Sequence, residues 1–149
     1  MAATTPAQQG EDTLSIGDIR EEWWWIRPAI EELLAENPTL TYIPEDVYAE
    51  VKAERAILFV AEGGFAVTTS KVDQFSGEKT LLMWIYWSRP RKAPALFRHM
   101  EGMRQVAEAM GHSWIEARTK SERWGNALSR RGWELDDLVY RKPVNVGTR

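Results

Sequence analysis

The run Thr80–Ser88, TLLMWIYWS, constrains this chain more than any other stretch. It is short, apolar at nearly every position, preceded by a polar loop and followed by Pro90, so it reads as a strand. Strict alternation would place Leu81, Met83, Ile85 and Trp87 on one face and Leu82, Trp84 and Tyr86 on the other. A strand apolar on both faces belongs at the centre of a sheet covered on both sides.

The flanking segments supply that cover. Ser15 or Asp18 can cap a first helix, whose Ile19, Trp23, Ile26, Ile30 and Leu33 follow helical spacing. Pro28 should kink or restart it, and Glu36-Asn37-Pro38 should end it. Pro44 suits the first position of a second helix reaching Glu54. Ala56–Ala61 is a buried strand, Glu62-Gly63-Gly64 a tight turn, and Phe65, Val67 and Thr69 mark the return strand. The polar loop Asp73–Glu78 then leads into the central run.

Beyond it, Leu96, Met100, Met103, Ala107 and Met110 form one stripe of a long helix stopped by Gly111. Ser113–Arg118 is a strand. Ser121 opens a helix that ends at Gly132 after Arg130-Arg131, cations suited to its negative end. Trp133–Lys142 is expected to be a last strand or hairpin. The fold class is therefore α/β in the α+β sense, a mixed, mostly antiparallel central sheet flanked by helices. Residues 14–144 are expected to form a single domain between a flexible tail at 1–13 and a short tail at 145–149.

Composition excludes several classes of function. The chain has 149 residues and a net charge of −3, which gives no global reason to bind nucleic acid. It has no cysteine, hence no disulfide and no thiolate metal site. The apolar run Leu81–Trp87 falls far short of the roughly 20 residues of a membrane span. Met1–Asp12 lacks the pattern of a secretory signal, so a cytoplasmic location is expected. His99 and His112, without acidic neighbours at ligand spacing, read as surface histidines, and no metal is expected. A Ser–His–Asp set cannot be argued from spacing, because such sets assemble in space.

The second half resembles the GNAT acetyltransferase superfamily. The matching order is a fourth strand at Leu81–Trp87, a phosphate-cradling turn at Arg89–Ala95 and a long helix at Ala95–Met110. A fifth strand at Ser113–Arg118, a helix at Ser121–Arg131 and Gly132-Trp133, in place of a Gly-Phe pair, follow. Ala127–Leu135 is the most family-like stretch, and the element order extends the likeness over Ser15–Val144. The resemblance implies a GNAT-like sheet, with acetyl-CoA as cofactor and an amine as acceptor. Its turn reads Arg/Gln-x-x-Gly-x-Gly/Ala, so Arg89, Arg91, Lys92, Ala93 and Ala95 become the cofactor-binding candidates. Lys92 and Pro94 occupy the glycine positions, and Pro94 lacks the N–H that such a cradle uses. Arg89, Arg91 and Lys92 could form a side-chain phosphate clamp, a solvated basic loop, or a patch for an acidic partner.

Two catalytic parts of the family are missing. The tyrosine four residues before the Gly-Phe pair is Leu128 here, and the fourth strand carries no carboxylate. Tyr86 is that strand's only titratable side chain, and Glu116 lies on the fifth strand; these are the catalytic candidates. Trp23-Trp24-Trp25 spreads over about 200° of a helix, so one face cannot bury all three. Trp23 fits the core stripe, which leaves Trp24 and Trp25, with Trp124 on the last helix, as candidates for binding another protein or a second copy. Small family members with a Trp-rich first helix and this ending are familiar among tailed bacteriophages. Two functions follow from the resemblance. One is a GNAT-fold protein without ordinary acetyltransferase activity, acting through protein contact and associated with a phage virion. The other is an acetyl-CoA-dependent N-acetyltransferase acting on an unknown amine.

Overall fold

A computed structural model describes residues 13–90 and 95–145. Five strands lie in the order β1-β2-β3-β4-β5: Ser15–Ile16, Ile57–Ala61, Gly64–Val72, Lys79–Ser88 and Trp114–Ala117. The first three pairings are antiparallel and β4–β5 is parallel. The helices are α1 Ile19–Glu36, α2 Pro44–Lys52, α3 Ala95–Arg98, α4 Met100–Ala109 and α5 Glu122–Ser129. The described residues up to Ala117 form one compact unit, holding the sheet and α1–α4, and those from Arg118 onward form a second. Apart from Thr13 and Asn145, the expected tails lie outside the described residues.

Of the two proposed caps, Asp18 caps α1, its carboxylate accepting the Arg20 N–H at 2.9 Å. Ser15 instead opens β1, a two-residue strand that sequence patterning missed, paired with Val60. The helix does not restart at Pro28 but continues to Glu36. Pro28 is solvent-exposed, and the carbonyl it leaves without an N–H belongs to Trp24, also exposed, where water can replace the lost bond. Pro44 opens α2, with the Asp46 carboxylate accepting the Ile43 N–H at 3.0 Å. That helix stops at Lys52, short of the expected Glu54, which takes a left-handed φ of 62°.

Ile19, Ile26, Ile30 and Val47 of α1 and α2 pack with Leu58, Phe65, Val67 and Ile85 in one buried cluster. Phe59, the neighbour of Leu58, is equally buried, so β2 is covered on both faces as its composition demands.

The central strand departs from strict alternation. Val67 pairs with Ile85 and Thr68 with Met83, which leaves Trp84 as an inserted residue, a β-bulge. Beyond the bulge the faces exchange. Leu82 and Trp84 line a hollow against Asp46 and Glu50 of α2, and Ile85 and Trp87 pack with α1. Met83 and Tyr86 share the opposite face, beside His99 and Met103. Leu81 and Met83 therefore do not share a face with Ile85 and Trp87. The Thr68 hydroxyl, opposite Met83, is buried without a hydrogen-bond partner among the described residues.

Asp73 organises the β3–β4 turn, its carboxylate accepting the N–H groups of Phe75 and Ser76 at 2.8 and 2.9 Å. Those two bonds hold the Asp73 carboxyl below its usual range. The expected long helix is two, parted at His99, whose φ of −111° is not helical. Its stripe holds in α4, where Met103 and Ala107 are buried, and Gly111 stops it with a φ of 82°. In the second unit, the Ser121 hydroxyl accepts the Trp124 N–H at 3.2 Å and Gly132 lies just past the helix end. No strand forms over Trp133–Lys142, where Leu135, Leu138, Val139 and Tyr140 are exposed. Asp136-Asp137 interrupts the alternation there, and aspartate is among the residues least suited to a strand.

Candidate functional site

The trailing end of β4 is where the resemblance expects a cofactor. Arg89 stands there, but its guanidinium carbon lies 4.5 Å over the Trp25 ring and 6.0 Å from that of Trp87. Its Nε donates to the Glu62 carbonyl at 2.7 Å and its backbone N–H to the Gly63 carbonyl at 2.8 Å. Trp25 meets Phe65 edge-on at 5.7 Å, and Phe65 lies 6.0 Å from Trp87. Arg89 is thus the polar member of an aromatic box built from α1, β3 and β4. The box closes only because residue 64 is glycine: a Cβ there would come within 2.0 Å of the Trp87 carbonyl oxygen. Arg91, Lys92 and Ala93 lie outside the described residues, and Ala95 opens α3.

Tyr86 lines a small apolar cavity of about 20 Å³ with Met83, Ala66, His99 and Met103. Burial pushes its phenol above the ordinary tyrosine value, which makes it a still poorer base. Burial, aided by the Arg98 charge, holds His99 below the usual histidine value. Glu116 is elsewhere. It pairs with Leu82, on the face of α2, and its carboxylate accepts from the Lys71 ammonium at 2.9 Å. The structure does not bring Tyr86 and Glu116 together: they lie on opposite faces of the sheet. Parallel pairing of β4 with β5 covers Thr80–Met83, and β4 runs on to Ser88 past the last pair.

The tryptophans divide sharply. Trp23 packs edge-on to Tyr48 at 5.1 Å, as its place in the stripe predicts. Trp24 is 78% exposed. Trp25 is half-buried, belongs to the aromatic box and donates its indole N–H to Glu22 at 2.6 Å. Trp124 is half-buried within the second unit. Trp114 and Phe75 are also exposed and escaped the sequence reading, Phe75 because it lies within a polar loop.

At the leading end of β4 a polar group assembles that spacing could not reveal. The Ser70 hydroxyl lies 2.8 Å from His112 Nε2, across 42 residues of sequence. His112 Nδ1 lies 3.2 Å from the Ala107 carbonyl oxygen. The Lys79 ammonium donates to the Met110 carbonyl at 2.8 Å, in the same turn. Among the described residues no group of three or more acidic or histidine side chains is arranged to hold a metal ion. No described helix is long and apolar enough to cross a membrane.

No protein-family model matches the sequence. No curated protein matches it. Solved structures do. A Pyrococcus furiosus protein assigned as an acetyl transferase superposes with a TM-score of 0.69 at 15% identity, over 89% of this chain and 100% of its own. A Clostridium acetobutylicum protein assigned as an acetyltransferase, solved with acetyl-CoA, gives 0.67 at 9% identity, over 89% and 96%. Glucosamine-6-phosphate N-acetyltransferase from Arabidopsis thaliana gives 0.64 at 10% identity, over 89% and 98%. At these identities the likeness is one of fold: the chain has the α+β fold of the GNAT acetyltransferases.

Proposed function

We propose that this chain keeps the GNAT fold as a rigid body for protein contact and does not carry out acetyl transfer by the fold's ordinary route. The observation that carries this reading is the position of Arg89. The one residue that matches the first position of the phosphate-cradling turn is stacked on Trp25 and bonded to the Glu62 carbonyl. The empty catalytic positions support it. Leucine stands at residue 128, β4 has no carboxylate, Tyr86 faces a small apolar cavity, and Glu116 is paired with Lys71. Trp24, exposed on α1, supplies the kind of anchor that protein interfaces favour. The partner class is another protein, and the Trp-rich first helix together with the Ala127–Leu135 ending directs the search to phage particles and their hosts.

A second reading, acetyl-CoA-dependent transfer to an amine, is favoured by one observation: the β4–β5 ladder ends at Met83 and Ala117 while β4 continues. The acetyl-CoA held by the Clostridium acetobutylicum structure points the same way. Without a side-chain acid or base, rate would come from holding amine and thioester together.

The melting midpoint with and without millimolar acetyl-CoA separates the two. Ligand at a hundredfold excess over its Kd adds about 2.7 kcal/mol, a shift of several degrees. No shift is expected. A clear rise that disappears in Arg91→Ala, Lys92→Ala protein would overturn the first reading; Arg89 is left intact because its loss would disturb the aromatic box.

A further inference from the structure

We infer that Ser70 is an accessible nucleophile, activated by His112 and able to take up the acyl group of an activated ester or thioester. The inference stands apart from the proposal above, since Ser70 pairs with Leu81 near the start of β4, far from Arg89.

The protonation of His112 follows from its partners. The Ala107 carbonyl can only accept, so Nδ1, 3.2 Å away, carries the hydrogen. Nε2 then presents a lone pair to the Ser70 hydroxyl at 2.8 Å, and the hydroxyl donates to it. This is the pattern of an activated nucleophile: hydroxyl and base within hydrogen-bond reach, the base oriented by a third group. A backbone carbonyl takes the orienting part that a carboxylate has elsewhere.

The helix stop delivers the imidazole. Gly111, at φ 82°, reverses the chain after α4 so that the His112 N–H also donates to the Ala107 carbonyl, at 2.9 Å. Backbone and ring therefore converge on one oxygen, which fixes the ring. That oxygen belongs to the last turn of α4, so the ring is tied to a rigid element. Ser70 is exposed and His112 half-buried, so the hydroxyl can be reached while its base stays held. Lys79 brings an ammonium to the same turn, and Met110 takes one of its three donors.

The chemistry balances without a co-reactant beyond the ester and water. The Ser70 oxygen adds to the acyl carbonyl and its proton passes to His112 Nε2. The bond to the leaving oxygen or sulfur breaks, and His112 returns the proton to that atom. An acyl ester of Ser70 remains. Water, giving its proton to the same nitrogen, then releases the acid and restores the hydroxyl.

The test uses the full chain and p-nitrophenyl acetate. Because the chain has no cysteine, no thiol competes for the label. An acetyl adduct mapped by mass spectrometry to Ser70 is expected, lost in Ser70→Ala and in His112→Gln. Nitrophenolate release should fall by roughly a hundredfold in either variant, the size of a lost general base. Ser70→Cys protein provides the second reading, since iodoacetamide should alkylate it much faster with His112 present than with His112→Gln. Adducts on lysines alone, or a Ser70 adduct that persists unchanged in His112→Gln, would overturn the inference. A hydrogen bond that merely anchors the α4–β5 turn would lower the melting point in these variants and leave no adduct at Ser70.

Discussion

The two ends of β4 treat charge in opposite ways. At the trailing end the cation of Arg89 is absorbed by aromatic faces and a carbonyl, so its surroundings are stiff, apolar and committed. At the leading end Ser70 bonds His112, Lys79 bonds the Met110 carbonyl and, on the other face, Lys71 bonds Glu116, all near the surface. Aromatic packing supplies stability and leaves little to titrate. Exposed polar contacts add little stability and leave groups able to react. In this fold the two properties have separated along one strand.

The sharpest way to break the contrast is at the aromatic box. Phe65→Ala should destabilise by about 3–5 kcal/mol, and Gly64→Ala, whose Cβ meets a backbone oxygen that cannot move alone, by about 3 kcal/mol or more. Urea unfolding followed by tryptophan fluorescence measures both, and a loss under about 1 kcal/mol in either would remove the box from the core. Arg89→Ala should cost about 1–2 kcal/mol through its stacking and its bond to Glu62, with Arg89→Lys recovering only part.

The cavity gives a pH signature of intermediate size. His99 has its folded value below the ordinary one near 6.5, so the unfolded chain binds the proton more readily. Its contribution is present above that ordinary value and is lost as pH falls through it toward the folded value. Melting curves between pH 8 and about 5 should show the decline, and His99→Gln should flatten it. At the leading end, Lys71→Ala should cost less than about 1 kcal/mol, because the pair with Glu116 is partly exposed and screened. Trp24→Ser should leave stability within roughly 0.5 kcal/mol, and a large loss would show that this ring is packed rather than presented.

Much of the fold could be read directly from residue patterns. Ile19, Ile26 and Ile30 share a helical face, Pro44 opens a helix, and Gly111 closes one, because each depends on neighbours within a turn. The hidden parts depend on partners far away in sequence. Nothing in TLLMWIYWS marks Trp84 as an insertion, since period two cannot register an added residue without its partner strand. β1 is two residues long and exists only by pairing with Val60 and Phe59. The role of Arg89 is set by Trp25, on a helix more than sixty residues earlier. Trp133–Lys142 shows the converse error: apolar residues suggested a ladder that the structure does not form.

The bulge at Trp84 can also be regarded as a phase shift written into the gene. A point substitution there changes one side chain. Loss of the codon would leave every later pair standing, Val67 with Ile85, Ala66 with Tyr86 and Phe65 with Trp87, because the residue removed is the one without a partner on β3. The box would keep its faces, and the strand would lose only Trp84 itself and the local bend and twist that an extra residue supplies. Along this strand, then, the register can absorb the loss of Trp84, whereas removal of a paired residue beyond it, such as Tyr86, would force Ile85 or Trp87 to change face.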